Sequence, residues 1–108
     1  MSWTVTFVNR IAEAEVAALP EDMNARFLRI GDMIMASGLP AMREPHVKHL
    51  TGKLWEIRVK GRDGIARSIY VAASGQRVVI LRTFIKKTQE TPRRELDIAF
   101  ARMKELRE

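Results

Sequence analysis

No cysteine occurs in the 108 residues, so disulfides and thiolate-ligated metal sites are both excluded. No apolar run approaches the ~20 residues that a membrane span requires. The opening Met1-Ser2-Trp3-Thr4-Val5 has neither the basic stretch nor the long apolar region of a secretory signal. Together these absences predict a cytoplasmic protein with no membrane partner. The length allows one domain, over residues 1–108, and is too short for two. Carboxylates are scarce in one place above all. Between Lys48 and Arg94 there are three, Glu56, Asp63 and Glu90, against twelve Lys and Arg, a net charge of +9. The flanking segments carry −2 and −1, so this block holds the whole excess of the chain's +6. Such segregation suits a polyanion surface, because phosphate contacts are largely electrostatic. The plainer alternative is a solvated face kept for solubility.

What is present is 46% hydrophobic residues with clear periodicity, the mark of a globular chain. Residues Trp3 to Val8 alternate as a strand. Ile11 to Leu19 is an Ala/Glu-rich helical stretch, interrupted by Pro20. Met23, Phe27, Ile30 and Ile34 then recur at helical spacing, widened by Leu28, Gly31 and Met35, up to the stop at Gly38 and Pro40. Residues Pro40 to Lys53 read as a loop. Three strands follow, Leu54–Val59, Ser68–Ala72 and Arg77–Phe84, and their short connections make them antiparallel neighbours. Thr91 as N-cap and Pro92 as first residue start a last helix, with a stripe of Leu96, Ala99, Phe100, Met103 and Leu106. The fold class expected is α+β, in the order β-α-α-β-β-β-α, an antiparallel sheet with helices packed on one face. Parity puts Trp55, Ile57 and Val59 on one side of their strand and Glu56, Arg58 and Lys60 on the other. In the last strand it groups Val78, Ile80, Arg82 and Phe84 together. Met33, Met35 and Met42 read as core filling.

Three runs carry a family resemblance: Lys53-Leu54-Trp55-Glu56-Ile57-Arg58, Arg67-Ser68-Ile69-Tyr70, and Val79 through Pro92 with its F-x-K-K-T-x-x-T-P ending. In combination they resemble the RelE/HigB toxins of type II toxin–antitoxin systems, nearest the phage-derived HigB-like branch. The resemblance implies a RelE/ParE-like, microbial-RNase-like fold and a ribosome-dependent mRNA endonuclease that inhibits translation without a metal or other cofactor. It implies the ribosomal A site and mRNA as targets, and a cognate helix-turn-helix antitoxin as partner. ParE-type relatives share the fold and bind DNA gyrase instead, and an RNA-binding accessory protein is a third reading.

Cleavage by attack of a 2′-OH on the adjacent phosphate needs cations at that phosphate and groups that move two protons. The candidates are Arg67, in the Arg-x-x-Tyr position where the family places a phosphate-contacting arginine, with Arg58, Lys86 and Lys87. Glu56 is the carboxylate among them, either a base or an ion-pair partner of Arg58 or Arg67. Lys48, His49, Lys53 and Arg82 extend the expected RNA-binding surface, and Phe84 and Tyr70 offer rings for stacking on bases. Trp55 falls on the apolar parity and reads as core. His46 and His49 have metal-ligand spacing but no third ligand near them, so no metal is expected. After Thr91 there is no Tyr or His of the kind several relatives use for proton transfer.

Overall fold

The computed structural model describes residues 2–43, 46–86 and 90–106. The first strand, β1 (Thr4–Phe7), leads into helix α1 (Arg10–Ala17), where the Asn9 side chain caps the first turn by accepting from the Ala12 N–H at 2.8 Å. Pro20 then opens helix α2 (Glu21–Ser37), which Gly38 ends at φ 85°, a conformation that favours glycine. After a 3₁₀ turn (Leu39–Ala41) come strands β2 (Val47–Thr51), β3 (Leu54–Gly61), β4 (Gly64–Ala73) and β5 (Arg77–Lys86), then helix α3 (Arg93–Met103). Among the described residues the strands form one sheet in the order β1-β5-β4-β3-β2.

This architecture is α+β, and it corrects the expected sheet in three respects. It is mixed, because β1 lies parallel to β5 while the other pairs are antiparallel. It has an additional edge strand, β2, in the segment read as a loop. Its sequence Val-Lys-His-Leu-Thr buries Val47 but exposes Lys48, His49 and Thr51, so the alternation is too weak to see.

Third, helices cover both faces. On one, Val16, Leu19, Met23, Phe27, Ile30 and Ile34 of the α1–α2 hairpin pack on Ile57, Val59, Ala66, Tyr70, Val78 and Ile80. On the other, the α3 stripe of Leu96, Ala99, Phe100 and Met103 packs on Leu54, Ile69, Val71, Val79 and Leu81. A sheet whose central strands are apolar on both sides cannot leave one of them in water.

The parity of β5 fails halfway along, for a physical reason. Tyr70 faces Ile80 and Ile69 faces Arg82, so Leu81 is the extra residue of a β-bulge. Beyond it the alternation inverts. Val78 and Ile80 face α1 and α2, whereas Phe84 joins the core under α3.

Helix α2 is locked to the β3–β4 hairpin. Asp22 accepts from the Arg62 N–H at 2.9 Å, and the Arg26 guanidinium donates to the Lys60 carbonyl. The contact leaves no room for a side chain at Gly61, where a Cβ would lie 2.5 Å from Met23 Cγ and 2.8 Å from Asp22 Oδ2. Met23 is fully buried and cannot swing away. Gly61→Ala is therefore expected to destabilise the fold by about 1–3 kcal/mol, read as a lower urea midpoint with an unchanged m-value.

Candidate functional site

Arg58 on β3 is the register partner of Arg67 on β4, and Arg67 is in turn the partner of Phe84 on β5. The three form one row across the sheet, on the α3 side. Like charges directly opposite one another on a sheet are destabilising, and Glu56 resolves the conflict. Its Oε2 lies 2.9 Å from Arg58 Nε and 3.1 Å from Arg67 Nη1. Its Oε1 accepts from the Thr91 hydroxyl at 2.9 Å, and Arg67 Nη1 also reaches that hydroxyl at 3.5 Å. Glu56 and Arg67 have no solvent exposure, and the Arg58 side chain keeps 16%. Burial lowers the Arg67 pKa, against the opposing pull of Glu56 and with a further push from Arg58. The result is two guanidiniums on one carboxylate, an excess of one positive charge held in fixed geometry.

Thr91 is where the sequence reading missed a role. Pro92 occupies the N-cap of α3 and no side chain caps that helix, so the Thr91 hydroxyl is spent on Glu56 instead. Its place in a Thr-Pro helix start masked that use.

Beside the row, Phe84, Ile85, Lys86, Pro92, Arg94 and Asp63 line a surface groove of about 560 Å³. Phe84 is half-buried, with part of its ring against the α3 core and part in this groove. Lys86, the last residue of β5, is also partly exposed there. Lys87 lies outside the described residues. The groove therefore brings a ring and a lysine next to the arginine pair.

The other sequence candidates are dispersed. Lys48 stands in register beside Glu56 and is exposed at the sheet edge. Lys53 is exposed in the β2–β3 turn, five residues from Arg58 and so roughly 16 Å along an extended strand. His49 is opposite Trp55, edge-on at 4.9 Å, with Nε2 2.9 Å from the Gly52 carbonyl oxygen. That register places it on the α2 side, away from the arginines.

Tyr70 is not available for stacking. It is 1% exposed inside the core beneath α2, where burial pushes its hydroxyl pKa far up. Trp55, read as core, is instead 39% exposed at the end of the sheet. Met42 is buried, but Met33 and Met35 of α2 are exposed. Among the described residues no group of His, Asp or Glu is placed to hold a metal ion. No described helix is long and apolar enough to cross a membrane.

Arg82 belongs to a second ionic cluster, turned toward α3 by the bulge. It donates to Glu15 of α1 at 2.5 Å and to Glu95 of α3 at 2.7 Å, while Arg102 donates to both Glu15 oxygens at 2.8 and 2.9 Å. The Thr83 N–H adds a bond to Glu15 at 3.2 Å. Its place is thus structural, tying α1, β5 and α3 together. Burial works to raise the Glu15 pKa, but the hydrogen bonds from Arg102, Thr83 and Arg82 outweigh it and hold it below the ordinary value of 4.5. A depressed carboxylate contributes stability above its unfolded-state pKa, and loses it as pH falls through the folded one. The protein should therefore lose stability on acidification from about pH 4.5 downward. Glu15→Gln should flatten that limb while lowering stability at pH 7, measured as urea midpoints at pH 7 and pH 3.

A five-stranded mixed sheet with a helical hairpin on one face and a terminal helix on the other is the fold of the RelE superfamily of toxins. The structure superimposes on free E. coli toxin RelE, in a form with two arginines changed to alanine, with a TM-score of 0.63 at 18% identity over 95% of this chain and 99% of that one. It also matches the archaeal RelE–RelB complex from Pyrococcus horikoshii OT3, with a TM-score of 0.56 at 26% identity over 79% of this chain and 96% of that one. The family model described as "Phage derived protein Gp49-like" matches residues 14–104. The chain belongs to this phage-derived family, which is a family of RelE/HigB-type toxins. No curated protein matches it.

Proposed function

We propose that this protein is a ribosome-dependent mRNA endonuclease, the toxin of a toxin–antitoxin pair whose helix-turn-helix antitoxin keeps it inactive in the cytoplasm. The observation that carries the reading is the Arg58–Arg67–Phe84 row, anchored by Glu56 and Thr91 beside a groove holding Lys86. The likeness to RelE supports the activity, and the archaeal complex with RelB supports an antitoxin partner.

In this mechanism the 2′-hydroxyl of one nucleotide gives up its proton to solvent water as its oxygen attacks the next phosphorus, and the bond from phosphorus to the 5′-oxygen breaks. The products are a 2′,3′-cyclic phosphate and a free 5′-hydroxyl. Arg58, which keeps some exposure, meets the phosphate oxygens as negative charge grows on them, while the fully buried Arg67 adds its charge from beneath and holds Glu56 and Arg58 in place, the kind of preorganised term that contributes most to such reactions. Phe84 stacks on a base drawn out of its neighbours. Lys86, with Lys87, donates the proton that the leaving 5′-oxygen takes up. Glu56 acts as a positioning residue rather than a base, because both its oxygens are engaged by Arg58, Arg67 and Thr91. His49, packed edge-on against Trp55 on the α2 side, is turned away from this row. Dependence on the ribosome follows naturally, since bound mRNA must arrive already held in a geometry suited to attack.

The test is induced expression followed by mapping of transcript 5′ ends. Cuts inside translated codons should appear with the wild type and vanish with Arg67→Ala. Intact transcripts accompanied by DNA damage would reject the nuclease and favour a gyrase inhibitor.

A further inference from the structure

Away from the arginine row, at the end of the sheet where β3 starts and β4 finishes, lies a cavity of about 710 Å³. None of Glu56, Arg58, Arg67, Phe84 and Thr91 lines it. It exists because the two strands end out of step. Their pairing stops at Trp55 and Tyr70, yet β4 runs on to Ala73. The notch so formed is walled by Leu39 and Met42 on one side and by Met103 and Leu106 on the other, and Ala72 beneath it is five residues from Arg67, roughly 16 Å along the strand. We propose that this notch binds a purine nucleotide, with its base on Trp55 and its phosphate between Arg43 and Lys53.

A base needs a flat apolar platform. Trp55 lines the notch with 39% of its surface exposed. His49, packed edge-on at 4.9 Å and itself held at the Gly52 carbonyl, braces that ring. A phosphate needs cations. Arg43 and Lys53 line the notch and are exposed, and neither has an ion-pair partner among the described residues. Arg43 is fixed at the rim, donating to the carbonyls of Pro40 at 2.6 Å and Met42 at 3.3 Å. No described carboxylate lines the notch to compete for them. The edge of a base needs a donor and an acceptor side by side. Antiparallel pairs alternate between bonded and non-bonded, and the two-residue turn makes Gly61–Gly64 a bonded pair. Counting from it, Trp55–Tyr70 is bonded, and Ala72 is the next residue to aim its N–H and C=O toward β3, beyond the last paired residue. Ala72 is exposed there. An apolar ligand would leave the cations unused, and a bare anion would leave the ring and the strand edge unused. The two fused rings of a purine cover more of the indole than a pyrimidine does.

The test is a titration of the full, 15N-labelled chain with 5′-AMP at 150 mM salt, followed by NMR. The Ala72 amide and the Trp55 indole signals should move most. 5′-AMP should bind at least fivefold tighter than adenosine, at least tenfold tighter than ribose 5-phosphate and at least threefold tighter than 5′-CMP. Trp55→Leu should weaken it at least tenfold and Lys53→Glu at least fivefold, both residues being exposed enough to change without loss of the far-UV circular dichroism. Trp55→Phe, which keeps a ring, should bind within threefold of the wild type. Arg67→Lys should bind 5′-AMP as the wild type does, so the proposal stands or falls separately from the nuclease reading. The hexanucleotide UUAUUU tells the two sources of the ligand apart. Binding at least tenfold tighter than 5′-AMP at the same signals assigns the notch to an unpaired nucleotide of an RNA strand, and weaker or equal binding assigns it to a free nucleotide; either upholds the site. Absence of binding, shifts confined to other residues, or indifference to both Trp55→Leu and Lys53→Glu would overturn it. So would ribose 5-phosphate or 5′-CMP binding as tightly as 5′-AMP, since the notch would then select no purine.

Discussion

Replacing Glu56 by Ala is expected to destabilise the fold by about 3–5 kcal/mol, the usual loss when a buried ion pair is left with unpaired charge. The reason is an asymmetry in the cluster. Glu56 is the single carboxylate between two guanidiniums that are register partners, and without it Arg58 and Arg67 face each other across adjacent strands. Arg67 has no solvent exposure with which to recover hydration. Removing Arg67 instead leaves Glu56 with Arg58 at 2.9 Å and the Thr91 hydroxyl, a balanced pair, so Arg67→Ala should destabilise less. Denaturant titration of both variants checks the order. Equal losses would mean that Glu56 does not hold the two arginines apart from repulsion.

The largest expected effect on activity belongs to Arg67. Arg67→Lys keeps a positive charge at the same strand position but removes the planar fork that reaches Glu56 and Thr91 together and so holds Arg58 in place. Loss of one preorganised charge-stabilising group lowers turnover by about 10²–10³-fold in enzymes that work this way. The variant should therefore fold, retain its antitoxin complex, and cut mRNA at least a hundredfold more slowly. Single-turnover cleavage on programmed ribosomes separates this from weaker binding, because the plateau rate at saturating protein should fall. If only the half-saturating concentration changed, Arg67 would be a binding residue alone.

Much of this molecule was legible in its residues, and the exceptions have physical causes. The helical hairpin and the α3 stripe were readable because Met23, Phe27, Ile30 and Ile34, then Leu96, Ala99, Phe100 and Met103, hold their spacing and are backed by Pro20 and Gly38. β2 was not, since an edge strand shows one weakly buried side and exposed Lys48 and His49. The helix on the second face could have been inferred from the two-sided apolar character of the last strand. The bulge at Leu81 had no local signature, and with it went the correct side for Arg82 and Phe84. For the site, strand parity correctly put Glu56 and Arg58 together, and the resemblance to the toxins drew in Arg67. Burial was beyond reach, and it is burial that takes Tyr70 into the core and turns Glu56 from a candidate base into the anchor of two arginines. Glu15 and Arg102 stand 87 residues apart, and no local pattern announces that they meet.

The most direct measurement is primer extension on a defined mRNA, incubated with the purified protein in the presence and absence of ribosomes halted with a chosen codon in the A site. Cleavage within that codon, dependent on ribosomes and abolished by Arg67→Lys, is the predicted result. Intact mRNA on programmed ribosomes, or equal cutting of the naked transcript, would contradict it.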